Sequence, residues 1–192
     1  RQMCIRDRIM TTYTAPLEDM MFLYEKLRNN KNYNEIEKYK EITPDLVKDI
    51  LDEAAKINQN IILPLAKAGD ENPAVLENGI VRTSPGFREG YEAIANGGWV
   101  SIAANPKYGG MGLPMTLTTA VNEMMSSACL SLQLNPLMTQ GQIEALEHHA
   151  SEEIKNIYLP KLISGEWCGT MNLTEPQAGS DVGALQSKAQ DN

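Results

Sequence analysis

Apolar residues return every three or four positions along most of this chain, a spacing that predicts a mainly α-helical molecule. Leu17, Met20, Met21, Tyr24 and Leu27 share one face over residues 16–27, giving a short amphipathic arm that the polar run 29–34 interrupts. Thr43 and Pro44 then supply a helix cap and a first helical residue whose missing amide hydrogen has no bond to lose. The long helix they start carries its buried stripe on Val47, Ile50, Leu51, Ala54, Ile57 and Ile61, and Pro64 is expected to end or bend it.

The pattern changes over residues 74–84, where β-leaning residues flank Asn78-Gly79, a dipeptide suited to the positive φ values of a two-residue hairpin turn. A small peripheral hairpin is expected there, followed by a short helix over 85–95 that Gly97 and Gly98 close. The glycine-rich stretch 108–113 admits no regular element. Pro114 opens a further helix with Leu117, Val121, Met124 and Ala128 on one side, and two more are read at 136–149 and 151–163. The last has Ser151 as its cap, Glu152 and Glu153 in the positive first turn and Gly165 as its stop. After Glu166 the texture shifts to an apolar, β-compatible run at 167–171, a Pro/Gly/Ser turn, and a final stretch at 185–189. The expected organisation is a non-native leader at 1–9, an amino-terminal extension at 10–42, a helical domain at 43–165 and the beginning of a β-domain at 166–192.

Composition narrows the function classes. The 192 residues are 42% hydrophobic and 22% charged, which is ample for a packed core and far from a disordered composition. A formal net charge of -8 argues against binding a nucleic-acid backbone, which needs a basic face, though it leaves room for an anionic ligand held by local amides. Three cysteines without paired spacing suggest neither a disulfide framework nor a metal site, and a reducing, cytoplasmic setting is the default expectation. No run approaches the roughly 18 apolar residues of a membrane-spanning helix. The leader is expected because Arg1, Arg6 and Arg8 precede Met10 in a stretch with no apolar period, and the last residues, ending at Asn192, stop in mid-pattern, as the front part of a longer protein would.

Candidate chemistry gathers in Leu173-Thr174-Glu175-Pro176-Gln177-Ala178-Gly179-Ser180-Asp181. Ala178 and Gly179 leave the backbone uncovered, Thr174 and Ser180 offer hydroxyls, and successive amides in such a turn can point together at a planar ring or a phosphate. A polar surface turn leading into a capped strand accounts for the same residues. Elsewhere, His148 and His149 are helix neighbours pointing about 100° apart, which suits a solvated helix end better than a metal. Gly109-Gly110-Met111-Gly112 lacks the Lys-Ser/Thr of a phosphate loop and is read as a turn between helices. Met124, Met125 and Met138 are read as core filling ahead of lining for a pocket that takes an unbranched apolar tail, Cys129 and Cys168 as small buried residues, and Trp99 and Trp167 as core aromatics.

The string from Leu173 to Asp181 resembles the flavin-binding signature of the acyl-CoA dehydrogenases. The resemblance extends upstream through Asn105-Pro106-Lys107-Tyr108-Gly109-Gly110-Met111-Gly112-Leu113-Pro114, the helix carrying Glu123, and Tyr158-Leu159-Pro160-Lys161-Leu162-Ile163-Ser164-Gly165-Glu166. The early Tyr13-Thr14-Ala15-Pro16-Leu17-Glu18-Asp19-Met20 is similar to an extension found in one subgroup, that of the methylmercaptopropionyl-CoA dehydrogenases. The resemblance implies a helical amino-terminal domain, a middle β-barrel-like domain and a carboxy-terminal helical domain, with FAD and an acyl-CoA thioester between them. It implies cofactor contacts from Met171, Asn172, Leu173, Thr174, Gly179 and Ser180, with Thr174 near the hydride-accepting nitrogen and Ser180 reaching substrate or cofactor. Met171 stands where the family often has an aromatic residue, and Asn172 where it has a small one.

The reaction so implied removes a proton beside the thioester carbonyl and passes hydride from the next carbon to FAD, with an electron-transfer partner and a homo-oligomer for the complete enzyme. No catalytic residue is assigned within this chain. The family's carboxylate base lies in the carboxy-terminal domain, and Glu175 is read as fixing loop geometry. Two further readings stand beside this one: an acyl-CoA oxidase or flavin monooxygenase on the same scaffold, and a non-catalytic helical interaction module.

Overall fold

The computed structural model describes residues 12–27 and 35–190. The expected leader at 1–9, the interrupting run 29–34 and the last two residues lie outside them. The arm is helix α1 (Leu17–Phe22), continued by a π-helical turn over Leu23–Leu27. Met20 and Tyr24 are buried, Leu17 and Met21 pack beside them, and the Ala15 amide donates to Gln59 Oε1 at 2.8 Å. A 3-10 turn at Glu37–Tyr39 precedes helix α2 (Pro44–Ile57), which Thr43 caps by accepting from the Leu46 amide at 3.2 Å. Val47, Leu51 and Ala54 vanish into the core as the spacing predicts, each large side chain contributing roughly 1.5–3 kcal/mol.

The stripe is broken at its end for a reason local sequence hides. Asn58–Ile62 forms a π-helical turn before helix α3 (Leu63–Glu71), so one extra residue is wound into the turn and the buried position moves from Ile61 to Ile62. Ile61 is 44% exposed, whereas Ile62 is 1% exposed. The Leu63 amide reaches back to the Asn58 carbonyl, and Pro64 sits in the first turn of α3, where its missing donor is harmless. Helical winding therefore continues past Pro64. Asn58 itself is buried, donating its amide to the Ala54 carbonyl at 2.7 Å.

Strands β1 (Val75–Glu77) and β2 (Ile80–Arg82) pair antiparallel with Glu77 opposite Ile80, and Asn78 and Gly79 take φ of 52° and 77°. All six strand residues are exposed, so the hairpin is peripheral as expected. Helix α4 (Phe87–Asn96) follows and ends at Gly97, with Gly98 at φ 72°. The glycine-rich stretch turns the chain into the long helix α5 (Met115–His149). Its amides are spent on the preceding loop: Gly110, Met111, Gly112 and Leu113 donate to the carbonyls of Asn105, Ser101, Ala104 and Ile102. No donor of that set is left for a phosphate, and a Cβ at Gly110 would overlap the Ala104 carbonyl.

Two helices were expected where α5 runs, with the second starting at Pro136. The break instead falls at Cys129, whose backbone is extended (φ -156°, ψ 90°), and Pro136 lies inside the second half. Helices α2, α3 and α4 and the last helix, α6 (Glu152–Ile163), all pack against α5. Leu117, Val121, Met124, Met125 and Ala128 occupy its buried face, while Met138 is half-buried. Ser151 caps α6 through the Ile154 amide at 3.3 Å, and Gly165 at φ 76° ends it. His148 and His149 are exposed at the end of α5.

Candidate functional site

The chain leaves the helical body through a crossing held by side chains from three helices. The Trp167 amide donates to the Lys161 carbonyl at 3.0 Å, and its ring meets Tyr158 edge-on at 5.7 Å with the Lys161 ammonium 4.3 Å above it. The Cys168 thiol donates to the Tyr91 hydroxyl at 3.3 Å, and that hydroxyl donates to the Gly165 carbonyl at 3.0 Å. Burial, and then the thiol, push the Tyr91 phenol upward. The buried Gly169 amide donates to Thr139 Oγ1 at 3.0 Å, and Thr139 passes its own proton to the Asn135 carbonyl. A Cβ at Gly169 would press on Gln142 and on the backbone of Thr139, so the crossing lies tight against α5.

Two readings of single residues are corrected here. Cys168 is exposed, and Trp167 is 38% exposed, covered by a surface lysine and tyrosine instead of by core. Trp99 packs against the core and Cys129 is buried, as expected.

Beyond the crossing, Met171, Asn172, Leu173 and Thr174 are exposed, Met171 at 64%. Among the described residues their four main-chain amides find no acceptor, and residues 167–174 have no ladder neighbour. Glu175 and Ala178 then pair through both backbone bonds, at 2.9 and 3.1 Å, around Pro176 and Gln177, with Ala178 buried beneath. Gly179 and Ser180 emerge exposed from this turn, and the Asp181 carboxylate starts a 3-10 turn (Val182–Ala184) by accepting from the Gly183 amide at 3.1 Å. The six residues singled out in the sequence thus sit along one uncovered stretch of loop.

The Glu175 carboxylate turns back into the loop. It accepts from the Gln186 and Ser187 amides at 2.9 Å each and from the Gln177 side chain. The Ser187 side chain, and then the Gln186 and Ser187 amides, hold its pKa down at about 2 by stabilising the charged form. It is therefore ionised and occupied at neutral pH, which suits a fastener and not a proton acceptor.

The loop offers donors suited to an acceptor-rich ligand. Four successive amides lack partners, and the hydroxyls of Thr174 and Ser180 make no hydrogen bond among the described residues. Gly179 adds an independent sign. Its φ is not positive and a Cβ there would meet only Thr174 Cγ2 at an ordinary 3.7 Å, so nothing among the described residues demands glycine. The anchors Tyr91 and Thr139 escaped sequence reasoning, because their partners lie 77 and 30 residues away.

The sequence profile described as "Acyl-CoA dehydrogenase, N-terminal domain" matches residues 44–166. The chain is 41% identical over 178 residues to the 3-methylmercaptopropionyl-CoA dehydrogenase of Ruegeria pomeroyi, covering 93% of this chain and 30% of that protein. It is 30% identical over 180 residues to a butyryl-CoA dehydrogenase of Syntrophomonas wolfei, covering 92% of this chain and 29% of that protein. The chain thus spans about three tenths of the length of these relatives. A solved structure described as "Electron transferring flavoprotein of Acidaminococcus fermentans: Towards a mechanism of flavin-based electron bifurcation" superposes with a TM-score of 0.60 at 23% identity, over 76% of this chain and 35% of that one, a likeness of fold alone. With a profile match over more than half of its residues and a relative of that identity aligned along nearly all of it, the chain belongs to the acyl-CoA dehydrogenase family.

Proposed function

We propose that this chain supplies the helical amino-terminal domain (43–165) and the first part of a β-domain (166–192) of a flavin-dependent dehydrogenase acting on acyl-CoA thioesters, with residues 171–180 lying along the edge of FAD. The observation that carries the reading is that, among the described residues, the amides of Met171, Asn172, Leu173 and Thr174 and the hydroxyls of Thr174 and Ser180 make no hydrogen bond, in a member of this family. FAD, when bound, supplies the hydride acceptor for desaturation of the thioester's acyl chain.

The work of this chain is to bind and orient. The main-chain amides of residues 171–174 are the donors proposed to meet an electron-rich ring edge, where positive partial charge stabilises developing negative charge. Thr174 donates its hydroxyl toward the same edge, and Ser180, across the turn closed by Glu175 and Ala178, serves substrate or cofactor. Gly179 lets the ligand approach the backbone without a side chain intervening. No residue here is proposed to take the proton beside the carbonyl. An electron-transfer partner that would take the electrons onward and a cytoplasmic homo-oligomer are the proposed setting.

The test uses the full-length protein. Purified protein is expected to be yellow with FAD, to bleach anaerobically on addition of an acyl-CoA, and to recover slowly in air. A colourless protein that refuses added FAD rejects the proposal, and rapid recovery with peroxide formation reassigns it to an oxidase.

A further inference from the structure

The loop after Ser180 is fastened to the chain before it at one point. Among the described residues, every hydrogen bond made by residues 179–190 outside their own stretch runs to the Glu175 carboxylate, through Gln186 and Ser187. The other bonds in that stretch are local, with the amides of Gly183, Ala184 and Leu185 donating to the Asp181 carboxylate and to the Asp181 and Val182 carbonyls. The same residue closes the inner turn through its backbone pairing with Ala178. Glu175 thus belongs to two nested closures, a tight one holding Ala178 and a wide one spanning twelve residues of sequence, with Gly179 and Ser180 between them.

We propose that Glu175 is the positioning residue of this site, its carboxylate fastening Gln186 and Ser187 so that Gly179 and Ser180 are held in place for ligand. This rests on the flavin reading above and deepens it. A carboxylate suits the task because one ionised group accepts several N–H donors at once, and such charge-assisted bonds outlast neutral ones at an exposed site. Without it, the wide loop regains the entropy of an open chain, and Gly179 and Ser180 keep only the inner backbone turn as an anchor. Among the described residues the Glu175 side chain makes no bond to the helical body, so its loss is expected to leave the fold intact and to disturb only the loop.

The experiment compares Glu175→Ala, Glu175→Gln and, as a control carboxylate near the crossing, Glu166→Gln in the full-length protein. Amide exchange at Gln186 and Ser187 is expected to quicken strongly in Glu175→Ala, less in Glu175→Gln, whose side-chain oxygen still accepts, and not in Glu166→Gln. FAD dissociation constant and KM for acyl-CoA are expected to rise on the order of tenfold in Glu175→Ala, with partial rescue in Glu175→Gln and little change in melting temperature. Unchanged exchange at Gln186 and Ser187 overturns the fastening whether or not flavin binds. Faster exchange with unaltered FAD and acyl-CoA affinity overturns the positioning role while leaving the flavin reading standing. A wild-type protein that binds no FAD overturns the flavin reading and the positioning role together, and exchange alone then reports the fastening.

Discussion

At the residue scale, the ionised state of Glu175 sets the order of its loop. Its carboxyl titrates near 2 when folded against 4.5 ordinarily, so the fastening contributes fully above pH 4.5 and is lost as pH falls from there toward 2. Exchange protection at the Gln186 and Ser187 amides, corrected for intrinsic rates, is expected to be flat from neutral pH down to 4.5 and to decline only below it. Protection that collapses between pH 6 and 5 would mean a different group holds the loop. The role of this glutamate was legible in part from its place in the motif. Its partners were not, since nothing in the run from Gln186 to Ala189 marks two amides as ligands of a carboxylate eleven and twelve residues earlier.

At the element scale, capping and periodicity located helices well where signals were local. Thr43 and Ser151 cap where their hydroxyls predict, and Asn78-Gly79 turns the hairpin. Periodicity misled where the winding itself changed. An α-helical count from Ile57 points inward at Ile61, but the π-helical turn at Asn58–Ile62 hands that place to Ile62. Ile62→Ala is expected to cost about 2–5 kcal/mol in urea unfolding. Ile61→Ala, the neighbour with the same chemistry, should stay within about 0.5 kcal/mol of the parent. Equal losses would place the helix back in ordinary α-helical register. The break in α5 shows the same limit: Pro136 looked like a helix start, but a proline announces one only in a first turn, and the residues around Cys129 carry no breaker.

At the scale of the molecule, one buried bond ties the crossing from helical body to loop directly to α5. Thr139 is fully buried and is the acceptor for the buried Gly169 amide, so Thr139→Val, which keeps the shape and removes the oxygen, leaves a donor without a partner. The expected cost is about 1–3 kcal/mol, read by denaturant unfolding, with faster proteolysis between Glu166 and Thr174. A neutral substitution with unchanged proteolysis would show that Tyr91 and Trp167 hold the crossing alone. Leu130, Leu134 and Leu137 lie exposed on one face of α5.

The sequence alone determined the helical class, most element positions, the hairpin and the family, because caps, turn dipeptides, periodic stripes and a long motif act between near neighbours. Only tertiary structure decided which isoleucine is buried after the π-helical turn, where α5 breaks, and that Cys168 and Trp167 lie at the surface. It also decided that Thr139, Tyr91 and Glu175 hold the loop. Those outcomes turn on hydrogen bonds and packing between residues brought together by folding, whose energies no local pattern records.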